Sequence, residues 1–145
     1  MTRSGDYETY YDKNDDKTRS DLYNRMDLVN SIENSVLISI HQNHFDDSAE
    51  HGTQIWYSAN TAKSKVLADS ILPCIKSNLQ SDNKRENKES GSSYYLLYKA
   101  KSPSIMVECG FVSNPEENKL LQNSEYQQKM AYSIFAGTNG VLYGK

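Results

Sequence analysis

No apolar run in this chain approaches the roughly 20 residues that a membrane span requires. Cysteine is scarce: Cys74 and Cys109 are the only two, which excludes a disulfide framework. Both read as small packing residues, and no motif around Cys109 makes it a nucleophile. There is no excess of positive charge. The net charge of -3 argues against electrostatic attraction to nucleic acid. No internal repeat and no Pro- or Gly-rich linker divides the 145 residues, so 1–145 is expected as a single domain, long enough to bury a core. The opening Met1-Thr2-Arg3-Ser4-Gly5-Asp6 contains no signal-peptide core. Taken literally, that predicts a cytoplasmic product unless an upstream segment precedes it.

What is present is organised around Ser104-Ile105-Met106-Val107-Glu108-Cys109-Gly110-Phe111. A short apolar run bounded by Pro103 and Gly110 reads as a buried strand, and it places Glu108 at its carboxyl end. In open α/β sheets, ligands and chemistry collect at that end. A carboxylate there is costly to bury without a cation, a proton or a metal. The bland alternative is a strand-end Glu reaching solvent or a lysine. Val36-Leu37-Ile38-Ser39-Ile40-His41 has the same form, a nearly continuous apolar strand that delivers a titratable group at its end. If the two strands are parallel neighbours about 4.8 Å apart, His41 and Glu108 converge.

The remaining elements follow from pattern. Residues from Thr2 to about Arg19 read as an exposed arm. Ser20 is the expected cap of an amphipathic helix to Glu33, with Arg25 read as solvated by default and as turned toward the site in the minority case. Gly52 to Tyr57 is a strand, and Thr61 to about Gln80 a helix that Pro73 should kink or break near Leu72. Ser81 to Ser93 reads as a loop and Tyr94 to Tyr98 as a strand. After Phe111, Ser113 or Asn114 caps a helix that starts at Pro115, with Glu116 or Glu117 completing a capping-box pattern. A last helix starts near Ser124 and carries Tyr126, Met130, Ile134, Phe135 and Val141, weakened by Gly137 and Gly140. Strands alternating with helices predict an α/β fold with a mostly parallel, mixed sheet flanked by helices. His44 and His51 fall in a polar loop and read as surface histidines.

Ser39-Ile40-His41-Gln42-Asn43, then Gly52-Thr53-Gln54-Ile55-Trp56-Tyr57, then Val107 to Glu116 resemble successive motifs of one family. It is the zinc-dependent N-acetylmuramoyl-L-alanine amidases of phosphorylase/hydrolase-like α/β fold (the Amidase_3 type). Thr2-Arg3 and the helix carrying Arg25 resemble further family segments, so the resemblance covers nearly the whole chain. It implies a bacterial peptidoglycan hydrolase that cuts the amide between N-acetylmuramic acid and L-alanine. It implies His41 as a zinc ligand, Glu108 as the general base on a zinc-activated water, and Asn43 as a substrate or supporting contact. The implied partner is peptidoglycan, met by a monomer at the cell wall or outside the cell.

The family pattern also includes an earlier strand ending in Gly-His-Gly and a following helix with a glutamate, which supply the other zinc ligands. This chain starts after both, so the resemblance implies a catalytic domain incomplete at its N-terminus, lacking the family's first strand and helix, with two of the three expected protein ligands absent. Glu8, Asp46, Asp47, Glu50, His44 and His51 are the available substitutes. The alternative expectation is an inactive pseudoenzyme or peptidoglycan-binding remnant that cannot hold zinc. A generic α/β binding domain is a third.

Overall fold

The computed structural model describes residues 17–144. In chain order the elements are α1 (Lys17–Ser31), β1 (Leu37–Asn43), β2 (Gln54–Tyr57), α2 (Ala62–Leu79), β3 (Lys88–Glu89), α3 (Tyr95–Lys99), β4 (Ser104–Phe111), α4 (Pro115–Leu121) and α5 (Ser124–Tyr143). The four strands form one sheet in the order β1-β4-β2-β3. β1 runs parallel to β4, β2 antiparallel to β4, and β3 parallel to β2. The sheet is therefore mixed.

Alternation along β4 decides which layer receives which side chains. Ile105, Val107 and Cys109 point to one face, where they meet Ile55, Leu67, Ile71 and Ile75 and the α5 residues Tyr126, Met130 and Ile134. The opposite face is covered more sparsely. There Met26 and Val29 of α1 and Ala100 pack with Leu37, Tyr95 and Leu96. Leu37 is the first residue of β1, so α1 and α3 cover the start of the parallel strands and leave their carboxyl ends open.

Three elements differ from their sequence expectation. The helix expected from Ser20 is already helical at Lys17, so Ser20 lies inside it rather than capping it. The arm expected before it falls mostly on residues 1–16, outside the described residues. Of the kink or break expected at Pro73, the break does not occur: α2 runs as one helix from Ala62 to Leu79. Ile71, Leu72 and Ile75 are buried on both sides of the proline, and packing holds what the missing hydrogen bond does not. Its unpaired carbonyl partner belongs to Asp69, on the exposed side of the helix, where water can satisfy it.

Tyr94 to Tyr98, expected as a strand, is instead the short helix α3. Its carbonyls are satisfied from outside: Asn60 Nδ2 donates to the oxygens of Tyr98 at 2.8 Å and Ala100 at 2.9 Å, and Ser58 Oγ donates to Leu97 O at 2.7 Å. Tyr95 meets Tyr23 of α1 edge-on at 5.2 Å. These are long-range contacts that override the local β preference of an aromatic run. A smaller difference is β3, a two-residue strand inside the segment expected to be loop.

α2 and α5 cross closely at Gly137. A Cβ added there would lie 2.6 Å from Ile71 Cα, and Gly137 O accepts from Ser70 Oγ at 2.8 Å. Gly137→Ala is expected to lower stability by about 1–3 kcal/mol despite gaining about 1 kcal/mol in helix propensity, because backbone must move. A thermal melt that shows no loss would mean the helices can separate freely.

Candidate active site

Parallel pairing sets His41 directly beside Glu108 as in-register partners, and Gln54 lies opposite Glu108 on the other side. Side chains of in-register partners point to the same face, so His41 and Glu108 share the face that α1 and α3 leave open at this end. The convergence expected from two separate strand ends is what the register produces. Immediately beyond it the pairing slips: His41 faces Glu108, but Asn43 faces Phe111. The register thus shifts by one residue just past His41, and slips of this kind re-aim side chains next to sites.

Glu108 is half-buried, and its Oε2 atom is shielded from solvent without a hydrogen-bond partner among the described residues. Burial raises its pKa above the ordinary carboxylate value. His41 Nε2 lies 2.8 Å from Ser39 Oγ. Its pKa is lowered, first by partial burial of the ring and second by the Arg25 guanidinium, so the imidazole is neutral at neutral pH. Arg25 is thus near enough for its charge to act on His41, and it is shielded rather than solvated. Its side chain is only 19% exposed and pairs with Asp21 one helical turn back, at 2.6 Å. Tyr94, at the start of α3, also borders the site. Burial first, and the Glu108 charge second, raise its pKa.

The other candidate residues separate from this pair. Asn43 Oδ1 accepts from His44 N–H at 2.8 Å, so its carboxamide is engaged in its own loop. His44 and His51 are exposed, as expected, and His51 Nδ1 lies 3.0 Å from Ala49 O. Glu50 pairs with Arg85, and Asp47 Oδ1 accepts from Ala49 N–H at 2.9 Å. Glu8 lies outside the described residues. Cys109 is 3% exposed and belongs to the core on the face opposite Glu108. Burial, and then the Glu108 charge, push its thiol up to about 12, which leaves it without useful thiolate at neutral pH. Iodoacetamide on the folded protein is accordingly expected to leave Cys109 unmodified and to react, if at all, at the partly exposed Cys74. Peptide mapping checks this, and rapid labelling of Cys109 would reopen the nucleophile reading.

The residues that follow Glu108, from Gly110 to Glu117, are architectural. Asn114 caps α4, its Oδ1 accepting at 3.0 Å from both Glu116 and Glu117 N–H, with Pro115 in the first turn. Glu117 does not close a capping box. Its side chain turns inward, 9% exposed, and accepts from Gly52 N–H at 2.9 Å and Phe111 N–H at 2.7 Å. Gly110 gives it room: a Cβ there would sit 3.1 Å from the carboxylate. Ser113 Oγ accepts from Phe45 N–H at 3.1 Å, and Val112 N–H donates to Asn43 O at 2.8 Å. The turn after β4 therefore fixes both the loop after β1 and the entry to β2.

Zinc, which the resemblance implies, needs about three protein ligands in a catalytic site. His41 is a suitable nitrogen donor, and the bare Glu108 oxygen beside it suits a base. Among the described residues, however, no group of three or more His, Cys, Asp and Glu could hold a metal ion. They fit one ligand and a base, not a complete set.

A mixed sheet between helical layers that presents, at adjacent strand ends, a neutral imidazole and a carboxylate with one oxygen unpartnered among the described residues defines an α/β fold with a candidate acid–base site. Residues 1–139 match the family model described as N-acetylmuramoyl-L-alanine amidase, and the chain belongs to that family. It is 33% identical over 117 residues to the germination-specific N-acetylmuramoyl-L-alanine amidase of Bacillus subtilis, covering 81% of this chain and 48% of that protein. It is 30% identical over 119 residues to the amidase LytC of Bacillus subtilis, covering 81% of this chain and 23% of that one. Among solved structures, the CwlD amidase of Clostridioides difficile, in complex with the GerS lipoprotein, superposes with a TM-score of 0.91 at 33% identity, over 99% of this chain and 75% of that one. The chain spans about half the length of the first curated relative and a quarter or less of the second.

Proposed function

We propose that the chain is the catalytic part of a peptidoglycan amidase that hydrolyses the amide between N-acetylmuramic acid and the L-alanine of the stem peptide. The observation that carries this reading is the in-register pairing of His41 with Glu108, whose buried Oε2 has no partner among the described residues. Family membership and amidase-named relatives support the reaction class. Glu108, with its raised proton affinity, takes a proton from water as the oxygen attacks the amide carbon. It then returns that proton to the leaving amine as the C–N bond breaks. His41 is proposed as one ligand of the zinc on which the family generally depends, and Asn43 as a contact that supports the site.

The cell wall is the proposed place of action, because relatives include a probable cell wall amidase of Staphylococcus aureus. Among the described residues no helix is long and apolar enough to cross a membrane. A second reading is favoured by one specific observation, the incomplete set of metal donors among the described residues: a domain that binds peptidoglycan without cutting it. Incubation with purified peptidoglycan separates the two. Release of stem peptides with a free L-alanine amine, together with zinc in the purified chain, supports the amidase. Retention on peptidoglycan without release, and without zinc, supports the binding domain.

A further inference from the structure

On the Glu108 face, toward the β3 edge, stands a second group of side chains that hydrolysis leaves unused. Trp56 is in register with Met106 of β4 and Lys88 of β3, one alternation along β2 from Gln54, the partner of Glu108. Its side chain therefore rises from the same face as Glu108. The Tyr94 ring lies 5.1 Å from it, tilted by 31°. Lys88 Nζ is 5.6 Å from the Trp56 centroid. Both rings are only partly buried, Lys88 is exposed, and neither ring belongs to either apolar core. Two large aromatic side chains thus stand outside the core, and Tyr94 is close enough to Glu108 to feel its charge.

We infer that Trp56 and Tyr94 form a shelf for a pyranose ring of the glycan, on the β3 side of Glu108. This rests on the amidase reading of the substrate and names where its sugar lies. The bond to be cut joins an N-acetylated amino sugar to a small amino acid. One face of such a sugar presents C–H groups, which suit the electron-rich faces of indole and phenol rings. L-alanine offers little to so large an aromatic surface. The contact between Lys88 and Trp56 is an exposed cation–π pair that a ring can displace. The freed ammonium then stands at the rim as a donor to acetamido or hydroxyl oxygens.

Trp56 is the only tryptophan in the chain, so its emission reports on the shelf directly. The test uses the Glu108→Gln chain, in which hydrolysis plays no part, titrated with the peptide-free disaccharide of N-acetylglucosamine and N-acetylmuramic acid. Free L-alanyl-D-isoglutamine serves as the peptide arm. A saturable change in emission with the disaccharide, its dissociation constant raised about fivefold or more by Tyr94→Ala, is the expected result. Trp56→Phe, measured by calorimetry, should keep most of the affinity because an aromatic face remains. A response to the peptide alone, no response to either, or full affinity in Tyr94→Ala would overturn the shelf. Failure of the amidase reading shows separately, as absence of peptide release by the unsubstituted chain.

Discussion

Glu108→Gln is expected to remove amide hydrolysis, by about 100-fold or more, and at the same time to raise the melting temperature at neutral pH. The first effect follows from the role proposed for the carboxylate, that of taking and returning a proton, which an amide cannot do. The second follows from its burial. The folded protein raises the pKa of Glu108 above its unfolded value, so the folded state binds the proton more tightly than the unfolded state. Stability therefore falls as pH rises from the unfolded carboxyl value, near 4.3, through the raised folded value. Above that window the cost of holding a charged, partly desolvated carboxylate is fully present, and the neutral amide does not carry it. Below the unfolded value the gain should vanish. Melts of both proteins across pH, beside an assay of peptide release, check the two effects independently. Retained hydrolysis would assign the base to another residue, and an unchanged melting temperature at neutral pH would mean that Glu108 Oε2 has a stabilising partner.

Glu117→Ala should cost about 3–5 kcal/mol of stability. It would leave Gly52 and Phe111 N–H buried without an acceptor, and a hydrogen bond to a charged group contributes about 1.5–3 kcal/mol. For a domain of this size the melting temperature should fall by roughly 6–15 °C. Glu117→Gln should not rescue it, because an NH2 group would be turned against one of the two N–H donors. The neighbouring Glu116, exposed and bonded only through its backbone to the Asn114 cap, provides the control. Its replacement by alanine should shift the melt little. Equal losses at the two positions would mean that helix capping, rather than the inward carboxylate, accounts for the motif.

Much of the site was legible because it lies on strands, where position decides direction. A nearly unbroken apolar run marks both β1 and β4 as strands, and the period of two then sets His41 and Glu108 at comparable positions. β4 is buried inside the sheet, whereas β1, expected to be covered on both faces, is an edge strand among the described residues, with Ile40 57% exposed. Asn114 and Pro115 were readable as a helix start because caps depend on residue chemistry over three or four positions. The inward Glu117 was not readable: its partners Gly52 and Phe111 are separated by most of the sheet's connections, and in sequence Glu117 looks like an ordinary capping-box acid. Tyr94 was missed for a related reason. As a strand residue it would have pointed elsewhere, whereas the helix held by Asn60 and Ser58 sets it beside Glu108. Ser39 could have been found from His41 by the same period of two, and Trp56 from Gln54.

By itself the sequence determined the α/β class, the strands β1 and β4, the cap of α4, and the family through motifs of fixed order. Those depend on short-range patterns of apolar and capping residues, which act within a few positions of the chain. Only the tertiary structure decided that β1 and β4 are neighbours in register, that the Arg25 charge reaches His41, and that Glu117 binds two distant backbone amides. It also decided that an aromatic run folds as α3. Strand pairing and buried hydrogen bonds join residues tens of positions apart, and their partners become defined only once the layers have closed around the core.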